Sequence, residues 1–95
     1  MDRNPVVTRK VTVNLKDGLH LHPISQIVQV ARQYACEIRI CKDDRSADAR
    51  SPLDMLTLGV EFGSVLRLEA SGDQAADAVA ALESLFQNNF LPAQS

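Results

Sequence analysis

The sequence predicts an α+β fold: an open-faced two-layer sandwich whose four-stranded antiparallel sheet carries three helices on one face. Three observations carry that expectation. Stretches that read as strands alternate apolar and polar residues, so each has one polar face and the sheet needs cover on one side only. Stretches that read as helices place apolar residues three and four positions apart. The two kinds interleave as β-α-β-β-α-β-α with no repeat or low-complexity tract, and 95 residues are enough for one two-layer core. One domain over 1–95 is expected, with its core over about 6–90 and a fraying tail over 91–95.

The first strand is Val6 to Leu15: Val7, Val11, Val13 and Leu15 fall on one side, Thr8, Lys10, Thr12 and Asn14 on the other. Lys16-Asp17-Gly18 is turn chemistry, with Gly18 free to take a positive φ. Ile24, Ile27, Val28, Ala31 and Tyr34 then recur at helical spacing, predicting a helix over 21–34 with Pro23 in its first turn. Cys36 to Cys41 alternates as a second strand, Lys42 to Arg45 is a polar turn, and Ser46 to Arg50 closes a hairpin. Ser51-Pro52 is a helix start, since Ser caps free amides and Pro sits where no amide partner is needed. That short helix runs until Gly59; the spacing of Leu53 and Leu56 more commonly marks inward packing, with a surface role the open alternative. Val65 to Ala70 is the last strand, with Leu66, Leu68 and Ala70 inward. Ser71-Gly72-Asp73 opens a final helix with the stripe Ala75, Ala78, Val79, Leu82, Leu85 and Phe86, and Phe90 extends its packing.

Composition narrows the function. Ten Lys and Arg against twelve Asp and Glu argue against general nucleic-acid binding. No apolar run approaches the roughly 20 residues of a membrane span, and Met1 to Pro5 lacks the apolar stretch of a secretory signal. A cytoplasmic protein is expected. Cys36 and Cys41 sit about 16 Å apart along one strand, beyond the roughly 7 Å reach of a disulfide. Two unpaired thiols are expected, Cys36 on the apolar face and Cys41 facing out with Glu37 and Arg39.

The informative segment is Gly18 to Ser25, which holds both histidines of the chain, His20 and His22, where a strand hands over to a helix. The first amides of a helix lack internal partners and carry the positive end of its dipole. A phosphoryl group held there meets several N–H donors, and a neutral imidazole beside them is a competent nucleophile. Competing readings are a histidine that merely caps the helix, a metal site on His20 and His22, and a surface loop without chemistry. No further Cys or His lies nearby to complete a metal site, so no metal and no cofactor are expected.

Gly18-Leu19-His20 followed by Pro23, between a first strand and a first helix, resembles the active loop of the histidine-containing phosphocarrier (HPr) family of the bacterial phosphoenolpyruvate-dependent sugar phosphotransferase system. A second anchor is Ala49-Arg50-Ser51 leading into Leu53, Leu56 and Leu58-Gly59, and the likeness runs from about Val6 to Phe86. The resemblance implies a carrier rather than an enzyme. His20 would be the phosphoryl acceptor, charged by Enzyme I and discharged to the IIA domain of a sugar permease. It also implies a regulatory serine at Ser51, the substrate of an HPr kinase/phosphorylase, and an apolar docking face for which Leu21, Pro52, Leu53 and Leu56 are the candidates. A monomer is expected.

The chain departs from the family pattern at His22, where the family has arginine, and Leu21 and Ile24 replace small residues. Arginine grips phosphate through two parallel donors and keeps its charge, whereas imidazole offers one donor and loses its charge near neutrality. Protonated His22 is expected to substitute in part for the guanidinium, with phosphoryl retention weakening as pH rises. The alternative is an HPr-like regulatory binding module that has lost efficient transfer and acts through Ser51 or its apolar face.

Overall fold

Strands with one polar and one apolar face leave few arrangements open, and the computed structural model, which describes residues 6–90, adopts the sandwich. The elements are β1 (Val6–Thr12), α1 (Leu21–Ala31), β2 (Glu37–Lys42), β3 (Arg45–Asp48), α2 (Pro52–Leu56), β4 (Val65–Ser71) and α3 (Ala75–Gln87). The strands form one sheet in the order β1-β4-β2-β3, every neighbouring pair antiparallel. Register places Ile40 of β2 opposite Leu68 of β4 and Ala47 of β3, and Leu66 opposite Val11 of β1. Those side chains share the covered face, and Ile24, Ile27, Val79 and Leu82 of α1 and α3 pack into the same core.

The elements are shorter than the sequence suggests, for local reasons. β1 stops at Thr12 rather than Leu15, although the amide of Val13 still donates to the carbonyl of Ser64. α1 ends at Ala31 rather than at 34, because Gln33 and Tyr34 donate back only three residues, to Val30 and Ala31. Tyr34 is nevertheless packed against the core, so its apolar signal was packing rather than helix. β3 covers Arg45–Asp48 instead of Ser46 to Arg50, since the Asp48 carboxylate accepts from the Arg50 amide at 2.8 Å and turns the chain. α3 begins after Gln74, whose φ of +64° makes the cap, rather than on Ser71 or Asp73.

Two corrections concern side chains. Cys41 points to the helix-free face as expected but is only 4% exposed, because it lies opposite Arg67 and Ser46 in neighbouring strands. Both thiols are free. In α2, Leu53 and Leu56 do not pack inward: they are 75% and 41% exposed, while Met55 is fully buried. The expected tail after residue 90 and the start before residue 6 lie outside the described residues. Among the described residues, no helix is long and apolar enough to cross a membrane.

Candidate functional site

The loop between β1 and α1 is held in place by its glycine. Gly18 has a φ of +70°, and a Cβ there would run into the Val60 carbonyl and come within 2.9 Å of the Glu61 Cα. Only glycine allows that approach. Next to it the Leu19 amide donates to the Val60 carbonyl at 3.2 Å, and the Leu19 side chain is buried. The loop is thereby clamped to the segment before β4, and the next residue, His20, emerges into solvent.

His20 occupies the N-cap position of α1 with extended backbone (φ −117°, ψ −170°), and its carbonyl accepts from the Ile24 amide at 3.0 Å. Its side chain makes no capping hydrogen bond, so the reading of a histidine that merely caps the helix does not hold. Pro23 has no N–H to offer. Among the described residues, the amides of Leu21 and His22 are donors without partners at this tip. The first turn carries no acidic residue, so nothing offsets the positive end of the helix dipole. An exposed imidazole beside free amides can attack a phosphoryl group and then hold it.

His22 is exposed and turned to a different neighbour. Its Nε2 lies 3.2 Å from the Gln26 side-chain nitrogen, one turn along α1, and its carbonyl accepts from the Ser25 hydroxyl at 2.7 Å. The Gln26 amide also donates to the Phe90 carbonyl at 3.4 Å. Gln26 and the turn after α3 are therefore parts of the site that the sequence did not single out. The available signal was the four-residue spacing from His22 to Gln26.

The candidate docking residues are at the surface. Leu21, in the first turn of α1, is 64% exposed, and Pro52, Leu53 and Leu56 are exposed on α2, which packs against α1. Phe62, two residues beyond the Val60 clamp, is 63% exposed.

Ser51 caps α2: its hydroxyl accepts from the Asp54 amide at 3.3 Å. Arg45 and Arg50, its neighbours in sequence, are engaged elsewhere. Arg45 donates to the Thr57 carbonyl at 2.9 Å, at the end of α2, and Arg50 donates to the carbonyls of Tyr34 and Cys36 at 2.5 and 3.0 Å. Among the described residues, no cluster of His, Cys, Asp and Glu has the makings of a metal site.

The chain is similar to known proteins in both sequence and fold. The family model described as the PTS HPr component phosphorylation site matches residues 7–88. The phosphocarrier protein HPr of Vibrio cholerae serotype O1 is 34% identical over 77 residues, covering 81% of this chain and 91% of that one. A crystal structure of HPr from Thermoanaerobacter tengcongensis superimposes with a TM-score of 0.85 at 32% identity, covering 88% of this chain and 94% of that one. The crystal structure of Crh from Bacillus subtilis, described as a swapped-domain dimer, gives a TM-score of 0.71 at 30% identity over 90% of this chain and 98% of that one.

Proposed function

The chain belongs to the HPr family of the phosphotransferase system, and from that premise we propose that it carries a phosphoryl group on His20. Phosphorylated Enzyme I is the donor and a IIA domain the acceptor. The observation that carries this reading is the free, exposed His20 ring at the N-cap of α1, next to the unpartnered amides of Leu21 and His22. A ring nitrogen attacks phosphorus as the bond to the donor breaks, and the two amides take up charge on the phosphoryl oxygens. The group leaves by the same route in reverse when a IIA domain presents its own nucleophile. No separate substrate pocket is needed, which suits one small domain acting as a carrier in the cytoplasm.

Leu21, Pro52, Leu53 and Leu56 form the docking face in this reading, an apolar surface next to the transferred group. Ser51 acts first as a helix cap. A phosphate on it would bring further acceptor oxygens to the Asp54 amide and a like charge next to Asp54, with Arg45 and Arg50 already committed to carbonyls.

One observation favours the alternative of a regulatory binding module: the family's arginine is replaced by His22, whose ring is engaged with Gln26. Incubation with phosphoenolpyruvate and Enzyme I separates the readings. The carrier becomes labelled with acid-labile, base-stable phosphate that disappears in His20→Ala. An unlabelled wild type would point to the binding module, and label surviving in His20→Ala would remove this residue from the mechanism.

A further inference from the structure

His22 sits at one end of a short relay that begins in the turn after α3. Asn89 and Phe90 both have positive φ, +52° and +62°, a conformation that bulky residues adopt only when their surroundings impose it. Burial, a ring contact and a hydrogen bond impose it here. The Phe90 side chain is 3% exposed, its ring meets Phe86 edge-on with centroids 4.9 Å apart, and its amide donates to the Leu85 carbonyl at 2.8 Å. The strained turn delivers the Phe90 carbonyl to the Gln26 side chain. A carbonyl oxygen only accepts, so the Gln26 group facing it has to be the NH2. That same nitrogen is the atom 3.2 Å from His22 Nε2. With a donor in front of it, Nε2 has to present its lone pair.

We infer that Gln26, oriented by the Phe90 carbonyl, is a positioning residue that selects, for the neutral His22 ring, the tautomer protonated on Nδ1. In that tautomer the Nε2 lone pair is committed to Gln26, and a phosphoryl group on His20 meets the Leu21 and His22 amides. Charging His22 would put a second proton on Nε2, against the Gln26 donor, and would cost the relay a bond.

Among the described residues, the acidic side chains of the elements packed around α1 are placed elsewhere. The first turn of α1 has no acidic residue, and α2 offers Asp54, which accepts from the Asp48 amide. On α3, Asp77 lies in the first turn, at the far end from Phe90, and Glu83 faces Arg9 of β1 at 3.9 Å. Among the described residues, no salt bridge includes His22.

The inference gives the carrier reading its electrostatics and rests on that reading for its meaning, but its test needs no phosphotransfer partner. Long-range 1H–15N correlation spectra of the 15N-labelled protein at alkaline pH identify which imidazole nitrogen carries the proton. The wild type is expected to show His22 protonated on Nδ1. Gln26→Leu should lose that selection and shift to the Nε2–H form that free neutral imidazole prefers. Gln26→Glu, which puts an acceptor in front of Nε2, should likewise show His22 protonated on Nε2. Gln26 is half-buried on the helix surface, so both variants are expected to fold. A wild type already in the Nε2–H form would overturn the assignment, as would a Gln26→Leu spectrum unchanged from wild type. Failure to accept phosphate from Enzyme I would instead count against the carrier reading and leave the tautomer result standing.

Discussion

Gly18 and His22 set the character of the site at the scale of single residues. A methyl group at Gly18 meets both a disfavoured φ and the Val60 carbonyl. Gly18→Ala is therefore expected to destabilise the fold by about 2–4 kcal/mol, measured as a lowered urea midpoint at unchanged slope. A substitution within about 0.5 kcal/mol of wild type would mean that the loop is not clamped there. At His22 the relevant property is charge. His22→Arg is expected to lengthen the lifetime of phosphoryl-His20, because a guanidinium brings a permanent charge and two parallel donors to this position. Measuring the lifetime in both proteins checks this, and equal lifetimes would remove charge at this position from the account. The place of His20 was legible in the sequence, because a strand followed by turn chemistry and then by helical spacing puts it at the handover into α1. Its freedom from capping was not, since a ring at an N-cap can equally fold back on the helix. Gln26 and Phe90 stayed hidden for a different reason: they are 64 positions apart and meet only through the packing of α1 on α3.

Among the elements, α2 shows where reading by periodicity stops. With five residues it is barely a turn and a half, and two apolar pairs compete for the inward position: Leu53 with Leu56, and Met55 with Leu58. Spacing alone cannot choose between them. The structure buries Met55 and Leu58, at 0% and 2% exposure, and leaves the other pair to solvent. Met55→Ala should accordingly cost about 2–5 kcal/mol in chemical denaturation. Leu53→Ala should stay within about 0.5 kcal/mol while weakening binding to Enzyme I in a calorimetric titration. The reverse pattern would place Leu53 in the core and remove it from the docking face. The start of this helix was legible, because Ser51-Pro52 is a cap followed by a residue without an amide to satisfy. Ser51→Ala is expected to cost about 1 kcal/mol of stability through loss of the bond to the Asp54 amide.

For the molecule as a whole, order and handover of the elements were readable because the alternation period changes cleanly between strands and helices. The environment of the helix-free face was not. Cys41 is covered there by its cross-strand neighbours, and that requires knowing that β2 lies between β4 and β3. Burial, with the nearby Glu69 carboxylate, raises the Cys41 thiol above its ordinary value. The folded state thus favours the neutral thiol. Its contribution to stability is complete below the unfolded thiol's value of about 8.5 and is lost as pH rises through the folded one. Urea denaturation should therefore show Cys41→Ala losing less stability than wild type between about pH 8.5 and 10. Equal losses would mean that the thiol is not shifted. The central claim is that a phosphoryl group on His20 is held by the free tip of α1. Backbone 1H–15N spectra before and after phosphorylation by Enzyme I test it most directly. The account predicts the largest downfield amide shifts at Leu21 and His22, and it is contradicted if those two amides stay in place while the largest changes fall elsewhere in the chain.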